Sequence, residues 1–290
     1  MRIVKSVTEM QQVCGELRAA GRGVGFVPTM GALHEGHLSL VRRARAECGV
    51  VVASIFVNPL QFGPNEDLAK YPRTFAEDCE RLTAEGVEVL FAPEVAEMYP
   101  RGAVTTVTVA GVGDRLDGAS RPGHFTGVAT VVTKLFHTVG PCRAYFGLKD
   151  AAQVAVLRRM VRDLNFDVQL VGCAIVRDAD GLALSSRNAY LSEAERTQAL
   201  VLRRTLLEIE RRIAGGERES AALLRAGMDV APCSAADQPQ AADPVVVVGR
   251  VGHFPPTTCP PPMRVKPPAR YVQKHQRPCG VTALVSSTIR

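Results

Sequence analysis

His34 and His37 stand three residues apart, with Glu35 and Gly36 between them. At a helix start this spacing turns both rings the same way. Imidazole donates hydrogen bonds to phosphate oxygens whether neutral or charged, and it can carry charge near neutral pH. A pair of surface or capping histidines weighs equally on spacing alone. Zinc is a lesser option, because no other His or Cys in the first half lies at metal-like spacing. Further on, Lys149 can neutralise a polyphosphate as a point charge. Its neighbour Asp150 suits either a helix cap or a contact to ribose or magnesium-linked groups. Ser185, Ser186 and Arg187 put two hydroxyls beside a guanidinium, a phosphate clamp if other elements converge on it. Gln61 follows an apolar stretch and Gln153 lies one turn into a helix. Asn58 reads first as part of an Asn-Pro turn.

These residues sit at the ends of predictable elements. Val24–Val27 is a buried strand expected to break at Pro28 and turn through Thr29–Gly31. A helix should begin near His37, with Leu38, Val41 and Leu40 on its apolar face. Free N–H groups and the helix dipole favour an anion at such a junction. Gly36 would let a ligand lie against the backbone. A second junction, Gly147–Asp150, follows the strand Arg143–Phe146 and opens the helix Ala151–Leu164. Helices are also expected over Ser6–Ala20, to Leu82 and over Phe125–Val139. Further strands are expected at Val50–Phe56, Val87–Phe91, Thr105–Val109, Asp167–Val171 and Ala174–Val176. Thr74 and Glu77 have capping-box spacing, with Asp78 on the same turn. Gly111–Thr126 is a Gly-rich loop carrying Asp117, Arg121 and His124, either a substrate lid or a long connection. The alternation predicts an α/β fold, a Rossmann-like doubly wound parallel sheet over residues 1–187. Neither a G-x-G-x-x-G after a strand nor a Walker-type phosphate loop occurs, which argues against dinucleotide oxidoreductases and P-loop enzymes.

The 290-residue chain has no apolar run of membrane-spanning length, and Met1–Lys5 lacks a signal-peptide layout. A cytoplasmic protein with no membrane partner is the expectation. Eight scattered cysteines suggest reduced thiols rather than a disulfide framework. Residues 231–290 hold seven Lys/Arg against two Asp, so they carry +5 of the chain's formal +6. The basic balance of the tail therefore says little about the body, and with Phe254 and Tyr271 its only aromatics a nucleic-acid partner is not expected.

The string Pro28-Thr29-Met30-Gly31-Ala32-Leu33-His34-Glu35-Gly36-His37 contains the His-x-Gly-His signature of the nucleotidyltransferase superfamily. It resembles the pantothenate synthetase (pantoate–β-alanine ligase) family. Ser54–Phe62, Tyr71–Thr74, Arg121–Gly127, Tyr145–Asp150 with Gln153, and Leu184–Asn188 extend the resemblance in order over about residues 1–229. The resemblance implies ATP-dependent joining of pantoate to β-alanine through a pantoyl adenylate, with release of pyrophosphate and AMP. It implies an ATP site formed by Met30, Gly31, Ala32, Leu33, His34, Glu35, Gly36 and His37. Gly147, Leu148, Lys149, Asp150 and the backbone of Val176 would join them, with Leu184, Ser185, Ser186 and Arg187 on the phosphates. His37, His34 and Lys149 would be catalytic, His37 in the position of a proton donor. Gln61 would hold pantoate and β-alanine, and Gln153 pantoate. Mg²⁺ would ride on the ATP phosphates without a protein metal site, and a homodimer is implied.

The departures are Leu148 where the family usually has Glu, Asp117 where Glu is common, and the C-terminus. Residues 188–230 should begin the family's smaller α+β lid domain, with helices at Ser192–Ala214 and Arg218–Met228. From about Ala231 the resemblance stops. Eleven of the 19 prolines fall in residues 231–290, a composition that predicts a disordered tail, shifted in frame or otherwise replaced, and an incomplete lid. Two other readings follow: a nucleotidyltransferase that stops at the adenylate, and an impaired or inactive nucleotide-binding homologue.

Overall fold

A computed structural model describes residues 1–63 and 68–230. One sheet contains β1 (Arg2–Val4), β2 (Val24–Thr29), β3 (Val50–Ile55), β4 (Val89–Phe91), β5 (Cys142–Gly147) and β6 (Val168–Cys173). All pairings are parallel, in the order β1-β4-β3-β2-β5-β6. The intervening helices are α1 (Val7–Ala19), α2 (Glu35–Glu47), α3 (Phe75–Ala84), α4 (Val95–Met98), α5 (Asp117–Ser120), α6 (His124–Val139) and α7 (Ala151–Asp163). Alternate strand residues feed opposite faces. Phe26, Val52, Ala144 and Phe146 pack with α1, α6 and α7, while Val27, Val51, Ala53 and Tyr145 pack with α2 and α3. Burial on both faces is why these strands read as continuous apolar runs. The winding reverses between β2 and β5, and a doubly wound sheet opens a crevice at that point.

Pro28 does not break its strand; β2 continues through it to Thr29, in register with β3. The Thr29 carbonyl accepts from Phe56 N–H on the β3 side, so Pro28, one residue back, faces β5. There the pairing is confined to Gly25 with Arg143 and Phe26 with Ala144. The missing proline N–H thus falls where no ladder partner is needed.

Other boundaries move for local reasons. Helix α2 begins at Glu35 because His34 itself is the cap, and its buried residues are Leu40, Val41 and Ala44, with Leu38 only half-buried. Thr105–Val109 is not a strand. Val107 N–H donates to Thr130 Oγ1 on α6 (2.9 Å), and Val107 and Val109 pack on the core, so an extended segment lies along a helix. Ala174–Val176 has left the sheet after Cys173. Thr74 caps α3 without the predicted capping box, its hydroxyl donating to Asp78 Oδ2 instead (3.3 Å).

Beyond the sheet, α8 (Glu193–Ala214) opens on a capping box between Ser192 and Glu195, and α9 (Ser220–Val230) packs against it. Gly227 permits the approach, because a Cβ there would lie 3.1 Å from Ile209 Cδ1 and 3.2 Å from Thr205 Cγ2. Arg196 on α8 pairs with Asp178 and Asp180 (2.7 and 2.8 Å) in the turn after β6. The expected disordered tail, residues 231–290, lies outside the described residues. Among those described, no helix is long and apolar enough to cross a membrane.

Candidate active site

The cleft lies at the switch point, over the carboxyl ends of β2, β3 and β5. It gathers Met30, His34, Gly36 and His37 from the β2–α2 turn, and Gln61 from a 3₁₀ turn (Pro59–Gln61) after β3. Gly147, Lys149, Asp150 and Gln153 come from the β5–α7 junction, and Val176, Leu184, Ser185, Ser186 and Arg187 from the stretch after β6. Gly31, Ala32, Leu33, Glu35 and Leu148 do not line the cleft. Leu33 is buried, Glu35 pairs with Arg42, and Leu148 leans over Gly172 of β6.

The β2–α2 turn forms the expected anion-binding arrangement, but a carboxylate of the protein occupies it. Ala32 N–H donates to Asp78 Oδ2 (2.9 Å) and Leu33 N–H to Oδ1 (2.8 Å). Gly31 N–H goes to Thr29 Oγ1 (3.2 Å). Gly31 and Ala32 both have positive φ, +82° and +49°, so two left-handed residues turn successive amides toward Asp78. Arg81, one turn along α3, donates to the Leu33 carbonyl. The turn is therefore a rigid mount for the histidines, and its own amides are already spoken for.

Each histidine is oriented by the backbone. His34 Nδ1 accepts from Gly36 N–H (3.1 Å) and His37 Nδ1 accepts from His34 N–H (3.3 Å). Both neutral rings therefore carry their proton on Nε2 and are hydrogen-bond donors. Their centroids are 4.1 Å apart. Burial, then the neighbouring His34 and Lys149, pushes the His37 pKa down to about 3. Burial, Lys149 and Arg81 also lower that of His34. Both shifts favour the neutral ring. Gly36 lines the cleft and also makes room for His34: a Cβ would sit 2.8 Å from His34 Cε1.

Across the cleft, Lys149 Nζ pairs with Asp150 Oδ1 (3.1 Å), and the Asp150 side chain caps no helix. Ser185 caps the 3₁₀ turn Ser186–Tyr190 by accepting from Arg187 N–H (3.3 Å). Ser186 donates to the Ala32 carbonyl (3.0 Å), tying this segment to the histidine turn. The Arg187 guanidinium lies 6.0 Å from the centre of the Tyr71 ring. Arg121 donates to His124 Nε2 (3.1 Å), so His124 donates from Nδ1 to the Gln61 carbonyl (2.8 Å). Lys149, Arg187 and Arg121 make a cationic lining around neutral imidazole donors, suited to a polyanion. Among the described residues, no three His, Cys, Asp or Glu gather as a metal would require.

A family model described as pantoate-beta-alanine ligase matches residues 2–251. Pantothenate synthetase of Acidobacterium capsulatum is 59% identical over 262 residues, covering 86% of this chain and 88% of that protein. The chain belongs to the pantoate–β-alanine ligase family. The crystal structure of pantothenate synthetase from Thermus thermophilus superposes with a TM-score of 0.73 at 55% identity, covering 79% of this chain and 82% of that one. The pantoate-beta-alanine ligase from Francisella tularensis, solved in complex with beta-gamma ATP and β-alanine, gives a TM-score of 0.69 at 34% identity, covering 79% of this chain and 86% of that one. The family match runs to residue 251, past Ala231 where the motif resemblance ends.

As a member of the ligase family, the chain is an enzyme that forms a carbon–nitrogen bond. Asp78, Asn58 and Tyr71 have places in and around the cleft that the motifs alone do not assign to them. Asp78 is distant in sequence from the amides it binds, and only its place beside Thr74 drew attention to it. Asn58 reads as a turn residue and is one, accepting from Leu60 N–H (3.3 Å), yet it is buried and lines the cleft. Tyr71, from the Tyr-Pro-Arg-Thr motif, also lines it. Beside Leu148, Lys149 is oriented by Asp150.

Proposed function

We propose that this cleft catalyses both halves of ATP-dependent pantothenate synthesis. In the first, a pantoate carboxylate oxygen attacks the α-phosphorus of ATP. The bond from that phosphorus to the bridging oxygen breaks, and pyrophosphate leaves with the electron pair. In the second, the β-alanine amine attacks the acyl carbon, AMP leaves with the C–O pair, and the amine proton passes to solvent. His34 and His37 donate from Nε2 to phosphoryl oxygens, where negative charge grows in the transition state. The nearby polyphosphate raises the proton affinity of His37 above its resting value, which is how the family's proton-donor position would acquire its proton. Lys149 and Ser185–Arg187 hold the phosphates, Gly147, Asp150 and Val176 the nucleoside, and Gln61 and Gln153 the pantoate. Gly31–Leu33 support the site from behind. Mg²⁺ carried by the ATP phosphates would neutralise charge there, with few ligands from the protein. Helices α8 and α9 belong to the lid that keeps the adenylate from water. A cytoplasmic homodimer is part of the same reading.

The observation that carries the proposal is the convergence of His34 and His37 with Lys149 and Arg187 on one cleft at the switch point. The test is pantoate-dependent pyrophosphate release, with and without β-alanine, with AMP and pantothenate measured alongside. His37→Ala and Lys149→Ala should each slow release at least about a hundredfold, as removal of preorganised donors does. Wild-type rates in both would refute the site assignment. Pyrophosphate without pantothenate in the unaltered chain would show that the second half-reaction fails.

A further inference from the structure

Lys149, Arg187 and Arg121 are the Lys and Arg side chains that line the cleft among the described residues, and the fold brings them in from different sides. Lys149 follows β5 and Arg187 follows β6, both to one side of the histidine turn that ends β2. Arg121 comes in on the β3 side. It stands just before α6, whose first turn rests on the 3₁₀ turn Pro59–Gln61. The approach is close, because a Cβ on Gly127 would lie 2.2 Å from the Leu60 carbonyl oxygen. Gly123, at φ +85°, turns the chain between Arg121 and His124. His124 Nδ1 donates to the Gln61 carbonyl (2.8 Å), which leaves Nε2 to accept from Arg121 Nη1 (3.1 Å). The guanidinium is thus tied through one imidazole to the backbone of Gln61, and that tie uses one of its five N–H donors.

The reaction calls for a cation at this end. The pantoate carboxylate faces the α-phosphorus and becomes an uncharged acyl group once it is adenylated. β-Alanine keeps its carboxylate throughout, and that charge distinguishes it from other short amines. We propose that Arg121 binds the carboxylate of β-alanine and so aims the amine at the acyl carbon beside Gln61. A guanidinium grips a carboxylate through two parallel N–H···O bonds, which fix direction as a lysine cannot. The proposal rests on the reading that this cleft forms a pantoyl adenylate with pantoate at Gln61.

The two half-reactions can be read apart, because without β-alanine the chemistry stops at the adenylate and pyrophosphate appears as a burst. Arg121→Gln and the unaltered chain are compared in that burst, and then in AMP release with β-alanine and with 3-aminopropanamide, which carries a neutral amide in place of the carboxylate. The burst rate of Arg121→Gln should stay within about twofold, which also shows that the variant is folded. Its KM for β-alanine should rise at least about tenfold, equivalent to about 1.4 kcal/mol. Its preference for β-alanine over 3-aminopropanamide, as the ratio of kcat/KM values, should fall by at least as much. An unchanged preference would overturn the proposal. So would a burst slowed tenfold or more, which would put Arg121 on the phosphates or on pantoate. If the unaltered chain itself gives no burst, the reading of the cleft falls and the proposal with it.

Discussion

Replacing Asp78 should damage the chemistry of a site it does not line. Its carboxylate takes two backbone N–H bonds, 2.9 and 2.8 Å long, at 2% exposure. A hydrogen bond to a charged group contributes about 1.5–3 kcal/mol. The pair also holds Ala32 at φ +49°, a conformation that costs an L-residue about 1–2 kcal/mol. Asp78→Ala frees the turn to relax that strain, so the net loss of stability should be about 2–4 kcal/mol. Asp78→Asn keeps one acceptor but sets an NH₂ against the other backbone N–H, and should lose nearly as much. The histidines hang on this turn, and a displacement of about 1 Å at a reacting centre costs about a hundredfold in rate. Urea denaturation and pyrophosphate release, measured on the same Asp78→Asn preparation, test both effects. Wild-type stability together with a wild-type rate would refute the idea that the carboxylate is the mount for the histidines.

Gly36→Ala should separate stability from activity. Alanine favours a helix over glycine by about 0.8–1 kcal/mol, but its Cβ would displace the His34 ring from 2.8 Å; an undiminished melting temperature with at least about tenfold slower pyrophosphate release is expected, and an unchanged rate would contradict the packing. Acid should destabilise the fold through His37. Its pKa falls from 6.5 to about 3 on folding, so below pH 6.5 the unfolded chain takes up the proton first. Stability is intact above that pH and falls on the way down to about pH 3, by about 2 kcal/mol at pH 5. Urea denaturation at pH 7.5 and 5 should show a smaller pH difference in His37→Gln, and an identical difference would rule His37 out as its source.

The histidine turn was legible because its chemistry and its local geometry use the same few residues: a strand end, a glycine and a helix start. The β5–α7 junction was legible for the same reason. Thr105–Val109 misled because alternation reports only that every second side chain is buried, and a helix can bury them as well as a sheet can. Pro28 misled because its cost depends on which neighbour its nitrogen faces, a property of the sheet order. Asp78 acts across the fold on the turn at Ala32–Leu33, and no local pattern encodes such a contact. Gly36 reads in the sequence as a need for space, and part of that space is taken by the His34 ring.

The sheet is joined unevenly. Two register pairs connect β2 to β5, against six on either flank, from β2 to β3 and from β5 to β6. Mechanically, the domain is two half-sheets sharing a short seam, and the seam ends at Phe26, two residues before Pro28. The histidines are mounted on one half, Lys149 on the other. A nucleotide lying across the two would act as a clasp, and the energy of holding it would be returned as resistance of the seam to opening. Pro28 lies in the stretch of β2 that no longer pairs with β5, where a nucleotide spanning the two halves would add to their cohesion.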